Sequence, residues 1–191
     1  MQYINGLISC RGSSSLKDLE IVLKKDMSLV VPAKLISPHK LIIAARDNLN
    51  RNDIYIHQGL VSTHRGFLDI KVSTKNINRA LRFMDTLIKA LILRKHNVIL
   101  ENDQTTALVF DKKIKISFRE KLKRTMVPGK FHDTAEYTPT GLLCFRIDGY
   151  YGKEWTDGKL SIEDQLPSVL YKCEILISPK HVFKNITERA S

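Results

Sequence analysis

Glu101, Asp111 and Glu120, with Lys121 directly after the last, are the residues of this 191-residue chain that come nearest to a reaction centre. Acids on adjacent strand ends can hold a magnesium ion, and a neighbouring lysine can stabilise charge on a scissile phosphate. The chemistry in question is metal-dependent cleavage of nucleic acid. Their spacing does not reproduce an Asp…Glu-x-Lys pattern, and acids at hairpin ends are common structural residues. The six histidines (39, 57, 64, 96, 132, 181) show no metal-pair spacing, so His132, Asp133 and Glu136 are the one small cluster mixing imidazole and carboxylates. A loop cluster of that size needs further ligands to hold a metal. Cys10, Cys144 and Cys173 are far apart and odd in number, which excludes a disulfide framework and a CxxC site and suits a reducing compartment. No phosphate-loop, dinucleotide or nucleophile-elbow motif is present. The sequence therefore assigns no catalytic residue, no metal and no cofactor.

Charge is more informative. Lysine and arginine total 31 against 20 acids, a net charge of +11 and a pI near 9.6. Residues 112–130 hold eight basic residues and one acid, and residues 74–96 hold six and one, so these two segments carry the whole surplus. A localised cationic patch can neutralise several phosphates and release their counterions. The candidate nucleic-acid contacts are Lys112, Lys113, Lys115, Arg119, Lys121, Lys123 and Arg124, with Lys75, Arg79, Arg82 and Lys89 as a possible extension. A solvated charged face, or an acidic protein surface, would account for the same residues. Aromatic interleaving is modest: Phe118 is expected inside, and only Phe131 and Tyr137 are placed to stack on bases.

The elements that must carry these residues follow from periodicity. Ser37-Pro38 is a good helix opening, with Leu41, Ile42, Ala45 and Leu49 turned inward. Ile54–Ile56 and Phe67–Val72 are strand candidates. From Ser73 or Thr74 to about His96, Ile77, Leu81, Met84, Ile88 and Leu91 recur at three- and four-residue steps, which predicts one long amphipathic helix with Lys75, Arg79, Arg82 and Lys89 on its wet side. Asn97–Leu100, Ala107–Phe110, Lys113–Arg119 and Gly141–Ile147 read as an antiparallel meander. The third alternates most clearly, with Ile114, Ile116 and Phe118 one way and Lys113, Lys115, Ser117 and Arg119 the other. Between Lys123 and Thr140, Pro128-Gly129 and Pro139-Thr140-Gly141 bracket what reads as a long loop. Trp155-Thr156-Asp157-Gly158-Lys159 reads as a structural corner. A last helix is expected from Ser161, with Pro167 as a kink and Ser178-Pro179 as a stop.

Four blocks in order carry a resemblance. They are Arg79-Ala80-Leu81-Arg82 with Met84-Asp85 and Leu87–Leu91; Phe118–Leu122; Tyr137–Leu142; and Trp155–Lys159 followed by Glu163–Leu166. Over about residues 31–175 the chain resembles an uncharacterised domain of bacterial mobile-element and phage-related proteins, often found behind a helix-turn-helix segment. The resemblance implies a cytoplasmic protein working near DNA, in mobile-element biology or defence against phage, and supplies no catalytic residues. This chain has no credible recognition-helix pair, so the resemblance does not carry operator binding to it.

The expected architecture is an α+β domain over 31–178, with an N-terminal extension (1–30) and a C-terminal tail (179–191). In it an antiparallel sheet of four to five strands packs against the 74–96 helix, with further helices near 38–50 and 161–177. The expected role is a non-catalytic accessory subunit binding nucleic acid, DNA favoured over RNA. A structural adaptor for a protein partner is second and the nuclease third. No apolar run reaches membrane-spanning length, so no membrane partner is expected.

Overall fold

The computed structural model describes residues 29–51, 53–110, 112–129, 132–149 and 152–175. Nearly all of the expected N-terminal extension, the C-terminal tail, Cys10, Asp111, Lys130 and Phe131 lie outside the described residues.

The fold is α+β. Helix α1 (Lys40–Leu49) precedes strands β1 (Ile56–His57), β2 (Leu60–Ser62) and β3 (Ile70–Val72). A 3-10 turn (Thr74–Asn76) leads into α2 (Ile77–Leu93), followed by β4 (Asn97–Glu101), β5 (Gln104–Val109), β6 (Lys112–Val127), β7 (Thr134–Ile147), β8 (Lys153–Thr156) and α3 (Leu166–Ile175). The described strands form one eight-stranded sheet, larger than the four to five expected from sequence. Strands β4 to β7 make the expected antiparallel meander and β8, not expected from sequence, extends it, whereas β3 lies parallel to β6 through Ile70↔Phe118 and Lys71↔Arg119.

All five residues of the sequence-predicted α2 stripe are buried, together with Ala80, Phe83 and Leu87. Phe83 inserts between Phe118 of β6 and Phe145 of β7, with ring centroids 5.2 and 5.6 Å away, and Trp155 of β8 extends the cluster from Phe145 at 6.1 Å. The helices and this aromatic core thus cover one face of the sheet. At its end α2 closes in a Schellman turn: Lys95 adopts φ +64°, the Lys95 N–H donates to the Ile92 carbonyl, and the His96 N–H donates to the Leu91 carbonyl.

Helix α1 starts two residues after the expected Ser37-Pro38 opening. Its cap is His39, whose Nδ1 accepts the Leu41 N–H at 3.3 Å, while the His39 N–H donates to buried Asp85 at 2.8 Å. Pro167 does not kink the last helix, because it stands in the first turn, where a missing N–H costs nothing. Ser161 and Asp164 instead close the preceding turn.

The largest departure concerns residues 123–140. They are no long loop: β6 runs on to Val127 and β7 starts at Thr134, with only 128–133 between them. Register is maintained from Val127↔Thr134 to Leu122↔Pro139 and again from Glu120↔Leu143 onward, with Lys121 facing a bulge of Thr140, Gly141 and Leu142.

Candidate functional site

Burial and register assign a face to every sequence-predicted contact. In β6, Ile114, Ile116, Phe118 and Glu120 are buried under the helices, so Lys113, Lys115, Ser117, Arg119, Lys121 and Lys123 face the opposite side. Five of the candidate cations therefore form one row, at about 6.7 Å per step and about 33 Å from Lys113 to Lys123. Lys112 and Arg124 have the other parity and point to the helix side, beyond the region the helices cover.

Cross-strand pairing adds two cations that sequence reasoning missed. Lys71 of β3 stands beside Arg119, and Arg146 of β7 stands beside Ser117. Neither belongs to a basic run, so no sequence signal marks them. The same face carries Asp69, Glu101, Glu136 and Glu154, leaving a cationic surplus.

Some of these cations are tethered. Lys113 reaches Glu101 at 2.6 Å, Arg119 reaches Asp69 at 2.5 Å, and Lys121 reaches Glu154 at 2.7 Å, with Arg146 on the second Glu154 oxygen at 3.5 Å. The Lys121 ammonium holds the Glu154 carboxyl below the ordinary carboxylate range, and that hydrogen bond in turn raises Lys121. Lys71, Lys115 and Lys123 have no ion-pair partner among the described residues. The small side chains between the cations are Thr106, Ser117, Cys144 and Thr156. Burial pushes the Cys144 thiol up to about 11, so it stays protonated at neutral pH and is no nucleophile.

The helix cations do not join this face. They sit on the layer that packs against the opposite side of the sheet, and three of the four are engaged within the protein. Arg79 donates four hydrogen bonds, at 2.6–2.9 Å, to both oxygens of Asp157 and both of Glu163. Arg82 donates to the Pro32 carbonyl at 3.0 Å, and Lys89 binds Asp85 at 2.5 Å and the Ile36 carbonyl at 2.8 Å. Lys75, in the 3-10 turn, is exposed.

The nuclease candidates are dispersed. Glu120 faces the core and accepts N–H groups from Ser73 at 2.7 Å, Asn76 at 3.0 Å and Gly141 at 2.9 Å. Burial pushes its carboxyl up, and these donors more than offset that, leaving it below the ordinary range. Lys121 points to the opposite face, Glu101 lies at the far side of β5, and Asp111 lies outside the described residues. Among the described residues no group of three or more His, Cys, Asp and Glu could hold a metal ion, and His132, Asp133 and Glu136 form no such group.

Of the corner expected at Trp155–Lys159, Trp155 and Thr156 belong to β8, and the chain bends from Asp157 onward. Besides Arg79, the Asp157 carboxylate accepts the N–H groups of Leu143 and Ile162, each at 2.8 Å. A cleft of about 690 Å³ between β8 and α3 includes Lys153, Glu154, Gln165 and Ser168. Lys153 stacks over Trp155, Glu154 is paired with Lys121, Gln165 donates to the Thr156 carbonyl and Ser168 accepts the Trp155 indole N–H, so these polar groups are already occupied.

The fold is α+β, with helices on one face of the sheet; the other face carries more cations than acids around the buried side chains of Thr106, Ser117 and Cys144. Comparison with protein-family models, with curated proteins and with solved structures finds no match to this chain. Among the described residues no helix is long and apolar enough to cross a membrane.

Proposed function

We propose that this protein is a non-catalytic nucleic-acid-binding accessory subunit that grips phosphates with the cation row on the sheet face opposite its helices. The observation that carries the reading is the row of Lys113, Lys115, Arg119, Lys121 and Lys123 on one side of β6, flanked by Lys71 and Arg146 from neighbouring strands. Lysines in a row on a rigid strand hold a fixed spacing, so a polyanion engages several at once without ordering a loop. The cytoplasmic setting, and a role in mobile-element biology or phage defence, belong to the same proposal on the strength of the sequence resemblance.

The test is fluorescence anisotropy of labelled duplex and single-stranded DNA with the full chain. Five phosphate contacts predict a slope of log K against log salt of about −4.5, a loss of about 500-fold in affinity between about 50 and about 200 mM salt. The triple variant Lys113→Glu, Lys115→Glu, Lys123→Glu should flatten that slope by at least about 2.7 and weaken binding throughout. Undetectable binding at low salt, or a triple variant that binds as the parent does, refutes the reading.

A further inference from the structure

Beyond Glu120, strand β6 leaves the body of the sheet. Among the described residues β3 pairs β6 only at Phe118 and Arg119, and β8 pairs β7 only from Cys144 to Ile147, so residues 122–127 and 134–139 have no strand partners there but each other. The result is a two-stranded ribbon about 20 Å long. An isolated hairpin is marginal in water, but this one is fixed at its root. Thr140 Oγ1 donates to the Lys121 carbonyl at 2.8 Å, the Gly141 N–H donates to Glu120, and Pro139 packs so closely on Gly59 that a Cβ there would lie 2.8 Å from its ring.

The two faces of the arm differ. One carries Leu122, Arg124, Met126, Tyr137 and Pro139. The other continues the cation row and presents Lys123 opposite Thr138 and Thr125 opposite Glu136. All four of these are exposed, and none has a side-chain hydrogen bond or ion pair among the described residues. Elsewhere on this face Lys113, Arg119 and Lys121 each have a carboxylate, while Lys71 and Lys115 have none; on the arm a cation, two hydroxyls and a carboxylate stand together with their side chains unused.

We propose that this arm enters the major groove of duplex B-form DNA, with Lys123, Thr125, Glu136 and Thr138 turned to the base edges while the cation row follows the phosphates. The inference rests on the nucleic-acid reading above and adds the kind of acid and the mode of contact. The major groove, about 12 Å wide, admits a two-stranded ribbon. The deep, narrow major groove of A-form RNA does not admit side chains in this way, and single strands need stacking rings, whereas Tyr137 lies on the other side of the arm. The residue types match groove chemistry: lysine donates to guanine O6 and N7, glutamate accepts from cytosine N4, and threonine does either. Lys123 and Glu136 are diagonal neighbours, so together they suit a G·C pair.

The experiment uses the full chain with duplex DNA and duplex RNA of one sequence, dimethyl sulfate probing of guanine N7, and the exposed-residue variant Lys123→Ala, Glu136→Ala, Thr138→Ala, with circular dichroism confirming its fold. DNA should be bound at least about tenfold more tightly than RNA. Guanine N7 should be protected, methyl green should compete where netropsin does not, and the variant should lose the protection together with about tenfold in affinity. If the parent binds DNA yet leaves guanine N7 reactive, binds RNA equally, or is matched by the variant, the arm inference is overturned while phosphate binding stands. A dimer that the variant dissolves, with no groove protection, identifies a second copy as the arm's partner and also overturns it. Failure to bind any polyanion overturns both.

Discussion

Replacing Arg79 by methionine keeps most of the aliphatic volume and removes the guanidinium that ties α2 to the corner after β8. Arg79 retains 28% side-chain exposure, Asp157 10% and Glu163 19%, so the site is largely but not fully withdrawn from water. Removing one partner of a fully buried pair costs about 3–5 kcal/mol; the residual exposure discounts this to about 2–3 kcal/mol, or roughly 4–12 °C in Tm for a chain of this size. The pH dependence should change as well. Burial pushes the Asp157 carboxyl up, but Arg79 and the Leu143 and Ile162 N–H groups pull it below its ordinary value. A folded pKa below the unfolded one gives stability that is complete above about pH 4 and is lost as pH falls through the folded value. Without Arg79 the folded value rises, so acid unfolding begins at higher pH. Urea unfolding of R79M, D157N and the double variant at pH 7 and across the acid range measures both effects. A double-mutant coupling below about 0.5 kcal/mol would show that the two Arg79–Asp157 hydrogen bonds contribute nothing specific. If R79M weakens DNA binding with stability unchanged, Arg79 belongs to a binding surface instead.

Two further outcomes are expected. Glu120→Gln puts a donating amide in place of one of the two oxygens, Oε2 accepting from Ser73 and Asn76 and Oε1 from Gly141, and should cost about 2 kcal/mol at pH 7 by chemical denaturation, with the difference from the parent shrinking as pH falls through the depressed folded pKa of Glu120. Lys95→Gly relieves a left-handed backbone at φ +64° in the α2 Schellman turn and should raise stability by about 0.5–1 kcal/mol, read as a higher urea midpoint with unchanged slope.

The sequence was most legible where one face is buried and the other wet. The α2 stripe and the Lys113–Arg119 alternation were readable because the core imposes a period on them. The outer halves of β6 and β7 were unreadable for the same reason: with both faces exposed, Leu122–Val127 and Thr134–Thr138 carry no alternation, and Pro139 reads as a breaker. Pro139 is tolerated because β7 has no second neighbour there among the described residues. Sidedness was also hidden. The two basic segments look alike in sequence, yet α2 packs on the sheet face opposite the β6 row. Lys71 and Arg146 join that row only through strand pairing, and Arg79 finds its carboxylates 78 and 84 positions away.

The bulge at the root of the arm bears on which changes in β7 the arm can absorb. Between Leu122↔Pro139 and Glu120↔Leu143 one residue of β6 faces three of β7, an excess of two. Because strand side chains alternate, an even excess leaves every residue of the outer ribbon on the side it would occupy in an unbroken ladder. Losing or gaining one residue at Thr140–Leu142 would exchange the faces of β7 throughout the arm, whereas two at a time would preserve them. Insertions and deletions at this point should therefore survive in pairs, since only an even change keeps each β7 side chain of the arm on its present side.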